Sequence, residues 1–187
     1  MPTLYHAPNS RSDSVLTLIR MMGVTDHYDI REVSIPRQDG SGGRDAQNPH
    51  PEGKVPYLVD REDHIRERGA IMLWLTDRHG SALGRPVGHP QRGRYLSWLF
   101  YYQGVMEPVM ILDWAKLAHP AIEASLRDTP TMLAQLDAAL AEGPFLLGDG
   151  FSAADILCAG PFLWFGDQAP NTPAIRDWCA RCAEKMA

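Results

Sequence analysis

Hydrophobic and polar residues follow two different periods in the first half of the chain. Short apolar runs at Thr3–Tyr5 and Tyr57–Val59 have the length and composition of strands, and 27–33 alternates more weakly. Between the first and last of these runs, 15–22 places apolar residues at helical spacing, and Gly23 follows as a stop. The order begins as strand, helix, strand, which predicts a parallel crossover unit.

The stretch GKVPYLVDREDHIRERGAIMLWL, residues 53–75, continues this pattern. Pro56 has no N–H for a strand ladder and can only begin the strand that follows, while it holds Val55 extended. A second short strand precedes Glu67 and Arg68, which begin a helix with an apolar face at Ile71, Trp74 and Leu75. The first half therefore has the order βαβ followed by ββα, with a long surface loop at 36–53.

This stretch is suited to binding a small peptide that carries carboxylates. The free N–H groups and the dipole at a helix start favour an anion. If the Val55–Pro56 bond is cis, the backbone N–H and C=O of Val55 point outward, where a peptide can pair with them.

The second half of the chain has a helical pattern throughout. The Gly- and Pro-rich segment 80–90 predicts a linker between a domain at 1–79 and an all-α domain at 91–187. A long helix is expected over 91–117, kinked at Pro108. Two further helices are expected, one from about Thr129 and one over 173–186.

A helix start near residue 152 has the pattern of a capping box. Ser152 and Asp155 are three residues apart, and Phe151 and Ile156 occupy the positions of a hydrophobic staple. This is a folding element, and it has no expected part in catalysis.

Composition and charge exclude several function classes. A net charge of −5 argues against nucleic-acid binding, and no apolar run approaches the ~20 residues of a membrane span. The N-terminus lacks the apolar core of a signal peptide, and three cysteines are too few for a disulfide framework. No histidine spacing typical of a metal site occurs. These features predict a cytoplasmic protein without a metal.

Two motifs, GKVPYLV with Glu67 beyond it and FLLGDGFSAADIL near the other end, together resemble the glutathione S-transferase family. The resemblance is to bacterial-type members with a serine-type active site, and it spans nearly the whole chain. It implies a thioredoxin-like N-terminal domain with a mixed sheet and an all-α C-terminal domain that contributes an electrophile pocket. It also implies a homodimer, glutathione as co-substrate and a role in detoxification.

The resemblance places Ser10, in the loop after the first strand, at the family's catalytic serine. Arg11 occupies the position of the cysteine in cysteine-type classes, which excludes that mechanism, and it adds positive potential beside Ser10. The expected glutathione-binding residues are the following: Ser10, Arg11, Lys54, Val55, Pro56, Glu67 and Arg68. Arg68 departs from the family, which usually has serine there, so it either holds the γ-glutamyl carboxylate from further away or points elsewhere.

An electrophile pocket is expected from adaptable side chains of the long helix. Tyr102, Met106 and Met110 are candidates, although ordinary helix packing explains the same pattern. The expected reaction is conjugation of glutathione to small apolar electrophiles. The alternatives are a binding or regulatory relative with little or no catalysis, and a glutathione-dependent disulfide reductase. The pair Cys179 and Cys182 lies in the last predicted helix and is interpreted as structural.

Overall fold

A four-stranded mixed sheet forms the centre of the first part of the chain. The structure is a computed structural model that describes all residues, Met1–Ala187. The strands are β1 (Thr3–His6), β2 (Asp29–Glu32), β3 (Tyr57–Asp60) and β4 (Asp63–Ile65), in the spatial order β2-β1-β3-β4. β1 is parallel to β2, and β3 is antiparallel to both β1 and β4.

The register of the sheet separates two buried faces. Leu4 lies opposite Leu58, while Tyr5 lies opposite Tyr57, and side chains alternate between faces along each strand. Tyr5 and Tyr57 form a buried cluster with Ala7, Val33 and Val55. Val55 is therefore anchored to the sheet by its side chain, one proline before β3 begins.

Two helices complete this unit, α1 (Asp13–Met21) after β1 and α2 (Arg68–Arg78) after β4. Val15, Leu18 and Ile19 are fully buried on α1, and Ile71 is buried on α2, because these residues recur at helical spacing.

The predicted βαβ–ββα order is confirmed. The alternation expected over 27–33 is wrong at its start: Thr25–His27 is a 3₁₀ turn, and only Asp29–Glu32 pairs with β1.

The chain divides into two compact units, Met1–His79 and Gly80–Ala187. The second unit is helical. Its helices are α3 (Arg92–Tyr101), α4 (Glu107–Trp114), α5 (Pro120–Ser125), α6 (Thr129–Leu140), α7 (Ala153–Phe165) and α8 (Pro173–Met186). Residues 80–90 pack within this unit: Ala153 N–H donates to the Leu83 carbonyl, and the buried Arg85 donates to the carbonyls of Ala82 and Gly84.

The long helix expected over 91–117 is helical from Arg92 to Trp114. A π-helical segment, Tyr102–Met106, separates α3 from α4 and lies in the turn before Pro108. A proline ring clashes with the carbonyl four residues earlier, here Gly104, and a wider π turn is one way for the helix to relieve such a clash. The short helix α5 was not predicted.

Asp155 is the polar centre of the second unit. Its buried carboxylate accepts hydrogen bonds from Ser152 N–H and Oγ–H, both at 2.9 Å, and from Leu146 N–H at 2.9 Å. The Trp178 indole N–H, on α8, donates at 3.0 Å. The expected capping box at Ser152 and Asp155 is present at the start of α7, and its acidic residue also connects α7 to α8.

Replacing Asp155 with alanine is expected to destabilise the protein by about 2–6 kcal/mol. The change leaves the buried N–H groups of Leu146 and Trp178 without an acceptor, and each such loss costs about 1–3 kcal/mol. Urea unfolding measures the effect. Asp128→Ala, at the exposed cap of α6, is the matched control and should cost much less. Equal losses would contradict the central role of Asp155.

Candidate active site at the start of the first helix

The loop that joins β1 to α1 is held by the hydroxyl group of Ser12. Ser12 is fully buried, and its Oγ accepts a hydrogen bond from Ala7 N–H at 3.1 Å. The same Oγ lies 2.8 Å from Nδ1 of the buried His6, the last residue of β1. Ser12 thereby connects the end of the strand to the start of the helix.

Ser10, the predicted catalytic residue, lies against this buried hydroxyl. Its Oγ is 2.7 Å from Ser12 Oγ and accepts a hydrogen bond from Ser12 N–H at 3.1 Å. Its backbone N–H donates to Asp13 Oδ2 at 3.0 Å. Ser10 is half-buried, so its hydroxyl is available to a ligand at a helix start, where the dipole favours an anion.

Arg37 also holds the loop between β1 and α1, through two hydrogen bonds to its backbone. Its guanidinium donates to the carbonyls of Pro8 and Asn9, both at 2.6 Å. Asn9 has φ 55°, a left-handed conformation that asparagine tolerates better than most residues. Sequence reasoning missed Arg37, because it lies 28 residues from Asn9 in a loop without a regular pattern.

The backbone of Val55 forms the second part of the candidate site. The Val55–Pro56 bond is cis, and the backbone N–H and C=O of Val55 make no hydrogen bond within the protein. The neighbouring Lys54 has an exposed side chain, and its carbonyl accepts a hydrogen bond from Asn48 Nδ2 at 3.1 Å. The available backbone edge therefore lies beside a positive charge.

Glu67 and Arg68 have different environments at the start of α2. Glu67 is exposed and has φ 67° and ψ 128°, a region that non-glycine residues rarely occupy. Such strained residues cluster at functional sites. Arg68 is buried, with 7% of its surface exposed. The two predicted binding residues therefore do not form one exposed pair.

Comparison with known proteins finds a matching family model and similar sequences. Residues 119–181 match the family model described as "Glutathione S-transferase, C-terminal domain". A GST-like protein of Streptococcus mutans is 28% identical, covering 96% of this chain and 76% of that protein. The disulfide-bond oxidoreductase YfcG of Escherichia coli is also 28% identical, covering 100% of this chain and 92% of that protein.

A solved structure extends the match to the whole fold. The theta class glutathione S-transferase of Xanthomonas axonopodis pv. citri, with glutathione bound, is 27% identical with a TM-score of 0.70. The match covers 96% of this chain and 91% of that one. The chain is similar to glutathione S-transferases over nearly its whole length. Its architecture is a thioredoxin-like N-terminal unit followed by a helical C-terminal unit.

The other predicted site residues differ in exposure. Arg11 is exposed, next to Ser10. Tyr102 and Met106 are buried, whereas Met110 is partly exposed. The first two therefore have the environment expected of packing residues, which was the alternative explanation for this set.

The cysteine thiols and the side chains that could hold a metal ion are the other groups with possible chemistry. All three cysteines are buried, and burial raises the pKa of Cys179 to about 11 and also raises that of Cys182. No group of three or more His, Cys, Asp or Glu residues is arranged to hold a metal ion. No helix is both long enough and apolar enough to cross a membrane.

Burial also lowers the pKa of His6 below 6.5. The charges of Asp13 and Glu32 oppose this shift, and that of Arg20 adds to it. Burial lowers the pKa of His50 and His79 in the same direction.

These shifts predict a stability that falls as the solution becomes acidic. Unfolding restores the ordinary pKa of 6.5 to His6, His50 and His79, so the unfolded chain binds more protons below that pH. The contribution of these three histidines to the free energy of unfolding is complete above about pH 7. It is lost as the pH falls through 6.5 towards their lower pKa values in the folded protein. Urea unfolding at several pH values between about 5 and 7 measures it.

Single substitutions assign this pH dependence to individual rings. His6→Asn and His79→Asn should each make the slope of unfolding free energy against pH shallower. The two reductions should add, because the rings bond to different partners, His6 to Ser12 and His79 to Tyr28. A wild-type stability that stays constant over this range would contradict the assignment.

Proposed function

We propose that this chain is a glutathione S-transferase that adds the thiolate of glutathione to small apolar electrophiles. The observation that carries the proposal is the half-buried Ser10 hydroxyl, held at the start of α1 by Ser12. A hydroxyl in that position is suited to donating a hydrogen bond to a sulfur anion. The similarity to glutathione S-transferases supplies glutathione as the source of that sulfur.

The task of the site is to keep the thiol ionised. A free thiol has a pKa of about 8.5, so only about 3% is thiolate at pH 7. A hydrogen bond from Ser10 and the positive end of the α1 dipole both favour the anion. A downward shift of about two pKa units corresponds to about 2.7 kcal/mol and makes most of the bound thiol reactive.

The rest of the glutathione molecule is assigned to the edge of the sheet and the start of α2. The backbone groups of Val55, which have no partner within the protein, pair with the cysteinyl part. Glu67, exposed and strained, accepts from the γ-glutamyl ammonium. Backbone N–H groups at the start of α2 bind the γ-glutamyl carboxylate, and the buried Arg68 adds positive potential there. Lys54 and Arg11 contribute positive charge from the surface.

A second candidate reaction is the reduction of disulfides by glutathione. It is favoured by the 28% identity to the disulfide-bond oxidoreductase YfcG over the whole of this chain. The same Ser10-bound thiolate would attack a disulfide sulfur instead of a carbon electrophile. Relative turnover with a mixed disulfide and with a chloro-nitroaryl compound distinguishes the two reactions.

A third candidate is a binding protein without catalysis, which the replacement of the family's usual serine by Arg68 suggests. In that case glutathione would bind weakly or not at all. We assign the chain to the cytoplasm on its composition and to a homodimer on the family resemblance alone. Met110 is the remaining candidate for contact with the electrophile.

Ser10→Ala is expected to lower kcat for conjugation by about 100-fold, the loss typical when one donor to a reacting anion is removed. Glutathione affinity should change only a few-fold, because Val55 and Glu67 are unaffected. Calorimetric titration and a conjugation assay with a chloro-nitroaryl substrate measure the two effects. Ser14→Ala is the control, since its hydroxyl bonds only the nearby Arg11 carbonyl.

Two results would reject the proposal in different ways. Absence of glutathione binding by the wild-type protein at millimolar concentration would favour a regulatory role. Unchanged turnover in Ser10→Ala, with binding intact, would remove Ser10 from the mechanism.

Glu67→Gln is expected to weaken glutathione binding about tenfold. The change keeps the size of the side chain but removes the charge that strengthens a hydrogen bond to an ammonium group, a loss of about 1.5 kcal/mol. Glu62→Gln, an exposed position in the turn between β3 and β4, is the matched control. Equal affinities of both variants, measured by calorimetry, would exclude Glu67 from the binding site.

A further inference from the structure

A continuous row of three polar side chains leads from the surface into the first unit. Ser10 Oγ lies 2.7 Å from Ser12 Oγ, and Ser12 Oγ lies 2.8 Å from His6 Nδ1. Ser10 is half-buried, whereas Ser12 and His6 have 0% and 6% of their surface exposed. Only the outer end of the row can meet a ligand, and its inner end is a titratable ring.

The hydrogen bonds in this row have two directions that connect all three side chains. In a third arrangement Ser12 Oγ–H donates to the Ala7 carbonyl at 3.2 Å, which interrupts the row. Each hydroxyl has one hydrogen and two lone pairs, and Ser12 Oγ already accepts from Ala7 N–H while Ser10 Oγ accepts from Ser12 N–H. In the inward direction, Ser10 donates to Ser12 and Ser12 donates to a neutral His6, which leaves one lone pair on Ser10. In the outward direction, His6 donates to Ser12 and Ser12 donates to Ser10. Both lone pairs of Ser10 are then occupied, and its hydrogen is available to an anion.

We propose that His6 takes up the proton of the glutathione thiol through Ser12 and Ser10, as a positioning residue behind the catalytic serine. This inference rests on the proposed function, because it names how the same site forms the thiolate. It adds His6, Ser12 and Asp13 to the residues that the family resemblance implies.

The proton transfer converts the inward direction into the outward one. The thiol S–H bond breaks and its proton goes to Ser10 Oγ, the Ser10 proton goes to Ser12 Oγ, and the Ser12 proton goes to His6 Nδ1. Both serines end as neutral hydroxyls. The products are a thiolate that accepts from Ser10 and a His6 imidazolium, so charge and protons balance.

The charges around His6 fit a proton acceptor. Asp13 Oδ1 lies 3.8 Å from Nε2, where it favours a hydrogen on Nε2 in the neutral ring and stabilises the imidazolium. Asp13 also accepts from Ser10 N–H through Oδ2, so one carboxylate positions both ends of the row. Glu32 favours the charged ring and Arg20 disfavours it. Burial is the largest influence and lowers the pKa of His6, which keeps the ring neutral at pH 7 and able to accept.

The first test compares His6→Asn with His79→Asn. Asparagine keeps a hydrogen-bonding side chain at position 6 but cannot take up a proton. His79 is a matched control because its ring is also bonded to a hydroxyl group, that of Tyr28 at 2.7 Å, away from the Ser10 row. The readouts are the ultraviolet absorbance of the bound thiolate across pH 5 to about 9 and the separate values of kcat and KM.

The expected result is a specific loss of ionisation. At pH 7 the His6→Asn complex should contain about threefold less thiolate than the wild-type and His79→Asn complexes, because a rise of about one unit in the pKa of a mostly ionised bound thiol lowers the thiolate fraction from about three quarters to about one quarter. Its kcat should fall in proportion, while KM for glutathione stays within about twofold. A bound thiol that titrates identically in all three proteins would overturn the proposal.

A second measurement uses the wild-type protein and covers the case in which His6→Asn does not fold. Nitrogen NMR of the His6 ring is recorded at pH 7 with glutathione and with S-methylglutathione, which has no thiol proton to give. The protonated fraction of His6 should rise with glutathione and not with the methylated analogue. Glutathione binding without such a rise refutes the relay alone, whereas absence of glutathione binding refutes the proposed function as well.

Discussion

The junction between β1 and α1 depends on one buried hydroxyl, that of Ser12. The chain must reverse direction between His6 and Asp13, and a buried turn leaves backbone groups that need partners. Ser12 satisfies Ala7 N–H and reaches the ring of His6, while its own N–H donates to Ser10. The position of Ser10, and therefore the chemistry proposed for it, follows from this contact between strand and helix.

The ligand-facing parts of the site share a second constraint, which is that rigid elements carry them. Val55 belongs to the buried cluster of the sheet through its side chain, so its backbone is fixed although it has no partner. Glu67 is held in an unfavourable conformation by the start of α2. Preorganisation of this kind reduces the entropy lost on binding a flexible tripeptide.

Local patterns predicted most of the fold and only part of the site. The strand at 57–60, the two helices α1 and α2, and the Ser152 cap follow from period, proline chemistry and spacing within a few residues. Ser10 was predicted from the family resemblance and Val55 from the Val-Pro motif, and the roles of both in the site stay predictions. The π-helical form of the turn before Pro108 was not predicted, because a proline's effect on the preceding turn depends on which helical hydrogen bonds the neighbours allow.

The missed residues are those whose roles depend on tertiary contacts. Arg37 braces Asn9 across 28 residues, and no local pattern distinguishes it from a solvated loop arginine. His6 and Ser12 were within reach of sequence reasoning, since they surround Ser10. Their significance requires distances: a histidine at a strand end and a serine before a helix are common, whereas a continuous row of hydrogen bonds between them is visible only in three dimensions.

The choice between conjugation and disulfide reduction is constrained by the protein's own thiols. Disulfide exchange requires a thiolate, and burial raises the pKa of Cys179 and Cys182 well above neutrality. Cys158 is buried as well. A disulfide reductase activity of this chain would therefore need the thiolate of glutathione, as the proposed conjugation does. The two proposed reactions then differ only in the atom that this thiolate attacks.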